Sequence, residues 1–258
     1  MKYKRLGLMF LAFVWFLPAQ VSEAFEIRDK VDAINVAGKQ RMFTMRMLKD
    51  YLAIGENLHY KDPKRDLEQT MAAFEEADKA LLAYVTDPKL KAEMEDIQKT
   101  WKEVRAMFSQ PPVKEKGLLY AKTAIGFREK LNTFVNHMAE TYGGTNAQTV
   151  NHSGRLRAVS QALAAAYQLK SWGVPEAKDK LVVPMKRFRA SLDYLENAKE
   201  TQASMRPLLT RLERIYLFFS IMDDADDTAT PVLAIKRTDQ MLKMANELTE
   251  KYVKSLKK

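Results

Sequence analysis

Cysteine is absent from this 258-residue sequence, which excludes disulfides, thiolate metal sites and cysteine nucleophiles and leaves stability to packing alone. Glycine and proline number nine each and fall mostly between periodic segments, so little of the chain is available for turns. Histidine occurs three times, as His59, His137 and His152, without the i, i+4 partner or carboxylate spacing of a zinc site. There is no P-loop, nucleophile elbow, dinucleotide fingerprint or haem-attachment pair. The chain is read as non-enzymatic, with no cofactor and no metal. Beyond residue 24 no apolar run reaches the roughly 17 to 25 residues that cross a bilayer, the longest being Ile215 to Met222.

What is present begins with Lys2, Lys4 and Arg5 followed by the apolar run Leu6 to Phe16, too short to span a membrane and ordered like a secretory signal peptide. Ser22 and Ala24 suit cleavage after Ala24, so residues 1–24 are expected to be removed and 25–258 to be exported as a soluble protein, periplasmic in a Gram-negative cell. The net charge is +9. Residues 25–143 hold 20 basic and 19 acidic side chains, whereas 144–258 hold 19 and 13. A basic second half attracts anions, head groups or acidic partners. Because its cations are interleaved with acids rather than gathered in a stripe, nucleic acid is not an expected partner.

Between the breakers lie stretches rich in Ala, Leu, Met, Lys and Glu, the residues that lose least on entering a helix, so the fold is expected to be all-α. Val31, Ile34, Gly38, Arg41, Met45, Leu48 and Leu52 alternate by three and four and form one stripe of a long first helix. Asp62-Pro63 and Asp87-Pro88 each read as an Asp N-cap with proline at the first helical position, opening helices two and three. Gln110-Pro111-Pro112 closes the third, and a fourth runs from Lys114 to Tyr142. Gly143-Gly144, the one double glycine, is the natural seam. Beyond it come a helix over 146–172, a break at Gly173-Val174-Pro175, a sixth helix, a seventh capped by Ser204 and an eighth opened by Thr230-Pro231. The expected architecture is two tandem antiparallel four-helix bundles, 25–143 and 144–258, or a variant in which they share a longer helix across the seam.

One segment occurs twice. Asn35-Val36-Ala37-Gly38-Lys39-Gln40-Arg41-Met42-Phe43-Thr44 returns 116 positions later as Asn151-His152-Ser153-Gly154-Arg155-Leu156-Arg157-Ala158-Val159-Ser160, and a tyrosine follows each, Tyr51 and Tyr167. Gly38 and Arg41, like Gly154 and Arg157, lie one turn apart on one helix face. A helical glycine costs roughly 1 kcal/mol relative to alanine, and close approach of another helix or of a ligand is what offsets it. An arginine in an apolar stripe needs an acceptor or an anion. Two roles fit: each arginine is paired to a carboxylate of a neighbouring helix, or the two take a ligand. Ala158, Ala162 and Ala165 leave room for another helix beside the second copy. Asn35 and Asn151, and Thr44 and Ser160, suit capping or cross-linking of helices as well as ligand contact.

These residues resemble the N-terminal sensory domain of type IV pili methyl-accepting chemotaxis transducers (PilJ-type), related to the periplasmic domains of nitrate/nitrite sensor histidine kinases. The similarity is strongest over Ala33 to Gly55 and weaker over Val150 to Gly173. The resemblance implies a four-helix bundle that dimerises through its first helices, with the motif arginine of each subunit gripping one small oxyanion. Carried over, the ligand-binding positions are Arg41 and Arg157 with Gly38 and Gly154, and Asn35 and Asn151 beside them. The tandem repeat then stands in for the dimer, and a small inorganic anion, nitrate- or nitrite-like, sits between the arginines. No second membrane helix or transmitter is visible in the sequence, so a membrane-bound sensor or transducer is the expected partner. The alternative is a ligand-free helical module docking on an envelope or receptor complex through the basic second half.

Met42, Met45 and Met47 do not share a face and read as core rather than a copper site. Arg46 and Arg155 are read as solvated or paired, and His152 as a packing or surface residue. Asp223-Asp224-Ala225-Asp226-Asp227 lacks the central glycine and terminal glutamate of a calcium loop and reads as a solvated turn.

Overall fold

The structure, a computed structural model, describes residues 25–258 apart from 143, 175–176, 178–181, 225–229 and 258. The expected signal segment, residues 1–24, and most of the acidic run from Asp223 to Asp227 lie outside the described residues. Among the described residues the fold is all-α, with eight α-helices: α1 (Lys30–Gly55), α2 (Pro63–Tyr84), α3 (Pro88–Phe108), α4 (Gly117–Tyr142), α5 (Gly144–Ser171), α6 (Val182–Asn197), α7 (Arg206–Asp224) and α8 (Pro231–Leu256). A 3-10 turn, Lys114–Lys116, leads into α4. None of these helices is long and apolar enough to cross a membrane.

The helix starts follow side-chain chemistry. Asp29, Asp62 and Asp87 each accept a hydrogen bond from the backbone N–H three residues on, satisfying a donor that the first turn leaves free. Pro63 and Pro88 follow two of these caps directly. Ser204 is not the seventh cap: α7 begins at Arg206, and Leu208 N–H donates to the Met205 carbonyl. At the end of α5, Gly173 takes the left-handed conformation (φ 68°), and Val174 N–H closes back on the Leu169 carbonyl.

Burial separates two kinds of helix. On α2 and α3 the buried positions recur every three or four residues, Leu67, Thr70, Phe74, Ala77 and Leu81 on one and Leu90, Met94, Ile97, Trp101 and Val104 on the other, as a one-sided helix requires. Phe74, Trp101 and Phe127 meet between α2, α3 and α4, with ring centroids 4.3 to 6.1 Å apart. The first helix departs from its expected single stripe. Val36, Ala37, Met42, Phe43 and Met47 are buried along with Ile34, Met45 and Leu48, because α2, α4 and α5 cover different sides of it. The fifth helix is enclosed in the same way by α1, α4, α6 and α8. The two motif helices therefore form the centre of the molecule and share its most extensive helix–helix contact.

Candidate functional site

The pairing of α1 and α5 is parallel and in register with the repeat. Ser171 Oγ donates to Glu56 Oε1 over 2.6 Å, and the Trp172 ring packs against Gly55, both at an offset close to 116. Long side chains on a helix lean toward its N-terminus. Arg41 and Arg157 accordingly reach back about a turn and a half, each to the asparagine of the opposite motif. Arg41 Nη1 donates to Asn151 Oδ1 (2.8 Å) and Nη2 to the Asn151 carbonyl (3.3 Å), while Arg157 Nη2 donates to Asn35 Oδ1 (2.9 Å) and to the Asn35 carbonyl (3.3 Å).

The glycines lie where the two guanidinium groups meet. A methyl group on Gly38 would stand 3.3 Å from Arg157 Nη2 and 3.4 Å from Arg41 Nη2; one on Gly154 would stand 3.1 Å and 3.5 Å from the same two atoms. The missing side chains make room for two cations side by side. All six residues of the expected site, Asn35, Gly38, Arg41, Asn151, Gly154 and Arg157, are thus brought together. Thr44 and Ser160 are not part of it, since each hydroxyl donates to a carbonyl of its own helix.

Neither arginine is paired to a carboxylate among the described residues. Arg41 and Arg157 are 1% and 2% exposed, their hydrogen-bond acceptors are amide oxygens, and the Nε of each has no partner. Burial, then the charges of Arg155, Arg157 and Arg128, hold Arg41 well below the ordinary arginine range. Burial pushes Arg157 down to about 10, against a weaker opposing pull from Glu250. Two desolvated cations border the same gap between the glycines, an environment that favours negative charge.

Several site residues were not found from sequence. Asn132 on α4 accepts from Arg41 Nη1 over 2.9 Å, and Asn136 accepts from Asn151 Nδ2 over 2.9 Å. Together with Arg128 they occupy i, i+4 and i+8 of α4, one stripe of a helix that carries other polar residues, among them Glu129, Lys130 and Thr133. Beside Arg41 opens a cavity of about 150 Å³, lined by Arg41, Arg128, Arg155, Arg187, Asn132, Ala158 and Val159. Arg46 is paired as expected, with Asp50 at 3.7 Å and Asp66 at 3.8 Å. Arg155 differs: it has no hydrogen bond or ion pair among the described residues, and it faces the cavity. His152 packs, its ring stacked on Tyr194 at 3.8 Å. No group of three or more His, Asp or Glu side chains among the described residues is placed to hold a metal.

Residues 28–127 match the family model of the type IV pili methyl-accepting chemotaxis transducer N-terminal domain, PilJ. That part of the chain is similar to the PilJ-type domain, a match that suggests a sensory role. The matched span contains the first motif and ends before the second. No curated protein and no solved structure matches the chain.

Proposed function

We propose that this protein, with a PilJ-type sensory domain over residues 28–127, is a periplasmic ligand-binding sensor component that takes one small oxyanion of the nitrate or nitrite kind between Arg41 and Arg157. The carrying observation is the pair of buried guanidinium groups that share the gap between Gly38 and Gly154 without a carboxylate. Guanidinium remains charged and offers a planar fork of donors, which matches a planar oxyanion better than a lysine would. The two unpartnered Nε–H groups and the free Nη hydrogens are the donors such an anion uses. On this reading α1–α4 and α5–α8 are two bundles of one tandem pair, joined so that one chain supplies both halves of a site. Occupancy passes to a separate membrane-bound partner.

Calorimetric titration of the full chain with nitrate, nitrite and sulfate tests the proposal. Saturable binding of at least one of them, lost in Arg41→Ala with the helical circular dichroism unchanged, is the expected result. Absence of heat with all three anions sinks it. A second reading, a docking module without a small ligand, draws on α7, where Leu217 and Ile221 are 51% and 67% exposed, and on the basic groove of Arg211, Arg214 and Lys243 between α7 and α8. Salt-sensitive co-purification of a membrane protein together with silent titrations would favour it.

A further inference from the structure

Next to the four-arginine cavity lies a second one of about 250 Å³, and the two share Arg128 and Arg187 as a common wall. Apart from Arg128, Glu129 and Arg187 at that wall, the second is apolar: Met45 and Leu48 of α1, Ile125 of α4, Ala162 and Ala166 of α5, and Val183 of α6 surround it. Ile125 and Val183, 36% and 52% exposed, mark a side that opens to solvent. Together the chambers fall at the small end of ligand pockets, roughly 300–1,000 Å³.

Among the described residues, charge in the first chamber is out of balance. Arg41, Arg128, Arg155 and Arg187 face it, and the one described carboxylate that pairs with any of them is Glu129, with Arg128 and with Arg187. Arg155 and Arg41 are left without a carboxylate, and Arg128 Nε, in a side chain 7% exposed, has no acceptor. Buried arginines ordinarily carry a matching anion. A cationic chamber opening into an apolar one fits a molecule that is itself divided in that way.

We infer that the two chambers form a second ligand site, for an organic carboxylate with a short apolar tail, the carboxylate held by Arg128, Arg155 and Arg187 and the tail lying between α4, α5 and α6. The site does not use Arg157; Arg41, which belongs to the oxyanion reading, borders its first chamber, and the carboxylate is held by the other three arginines. The fork of Arg155 supplies two parallel donors for the head, and the alanines of α5 supply the width for the chain.

The test is calorimetric titration of the full chain with octanoate, 1-octanol and acetate. Octanoate is expected to bind saturably, with the uncharged alcohol and the tail-less acid each at least tenfold weaker. Arg155 has no partner to orphan, and Arg187→Gln leaves Glu129 paired with Arg128, so the double variant Arg155→Gln/Arg187→Gln folds and is expected to lose at least tenfold in octanoate affinity. Ala166→Leu, which narrows the apolar chamber, should lose a similar factor without altering the binding of acetate. Octanoate that fails to bind, or that binds no better than octanol or acetate, overturns the site, as does a double variant with wild-type affinity. Nitrate titrated into the same double variant separates the two proposals: retained nitrate binding beside lost octanoate binding marks two sites, and retained nitrate binding with no octanoate binding by the wild type defeats this one alone.

Discussion

Arg46, Lys49 and Asp50 on α1 stand 116 positions before Ala162, Ala165 and Ala166 on α5, and the two sets fill equivalent space in opposite ways. On α1 the three side chains form a network in which Lys49 and Asp50 are buried and Arg46 is half-buried. Lys49 lies 3.2 Å from Asp50 and 3.4 Å from Asp239 of α8, and Arg46 bridges Asp50 and Asp66 of α2. On α5 the alanines leave the apolar chamber against α4 and α6. One copy of the motif helix is closed laterally by paired charges, and the other is left open. Charge networks of this kind add little net stability but fix which elements meet, whereas small residues give up packing and gain volume. The repeat has therefore kept its centre, where Asn, Gly and Arg are the same in both copies, and divided two tasks between its flanks.

The largest expected effect tests the centre. Arg41 has three hydrogen bonds and faces the cavity, whereas Arg157 has two and does not, so the copies should contribute unequally. At about 1.5 to 3 kcal/mol for each charged hydrogen bond to a ligand, Arg41→Ala should lower nitrate affinity about a hundredfold or more and Arg157→Ala about tenfold, read by calorimetric titration. Equal losses would show that the site is symmetric in spite of its surroundings.

Next come the flanks. Lys49→Ala leaves Asp50 buried with a distant Arg46 and removes one of two cations from Asp239, so urea denaturation should show a loss of about 3 kcal/mol. Ala165→Leu at the equivalent position enters the apolar chamber and should gain about 1 kcal/mol. If both substitutions destabilise alike, the two flanks are packed alike and the comparison fails.

A smaller effect separates the copies by pH. The second has His152 where the first has Val36. Burial, then the charges of Arg155 and Arg41, push its pKa from 6.5 down to about 4. A base depressed in the folded state binds fewer protons than in the unfolded chain, so its contribution is fully present above pH 6.5 and is lost as pH falls toward 4. That loss amounts to roughly 1 to 2 kcal/mol once solvent screening is allowed for. Asp50, raised to about 6 by burial against the pull of Lys49 and Arg46, acts in the opposite direction between pH 6 and 3.8. The histidine term is therefore read as the difference between wild type and His152→Phe in chemical denaturation across this range, and a flat difference would refute it.

The smallest changes concern the glycines. Gly126, exposed on α4 with nothing within 4 Å of an added methyl, should gain about 0.5 to 1 kcal/mol on substitution by alanine. Gly38→Ala and Gly154→Ala should fall short of that gain, Gly154 by more because its methyl comes within 3.1 Å of Arg157. Thermal melts of the three variants give the ranking.

How much of this was legible follows from which forces act locally. The Asp-Pro starts of α2 and α3 depend on four consecutive residues and could be read directly, as could the break at Gly173. The burial of α1 on almost every side could not, because it depends on how many helices surround it rather than on its own period. The meeting of Arg41 with Arg157 was suggested by the repeat, but the reach of each to the other copy's asparagine depends on α1 and α5 being parallel. Arg128, Asn132 and Asn136 were not singled out, because α4 carries Glu129, Lys130, Thr133 and His137 among them. Arg187 did not: nothing near it in sequence distinguishes it from the exposed cations of α6, and only the seating of that helix against α5 brings it to the cavity.

The crossed anchoring of the two arginines has a consequence for how occupancy is transmitted. The hydrogens that an anion would engage belong to the same guanidinium groups that α1 uses to hold α5 and α5 uses to hold α1. On the proposed reading a ligand held by the remaining hydrogens of these groups pulls on the clamp between two helices, so binding and helix spacing are coupled. In an assembly of separate subunits, that equilibrium would also depend on how much protein is present. On the proposed reading both jaws are on one chain, so the fraction of the protein that is occupied follows the ligand concentration and does not depend on two subunits first meeting.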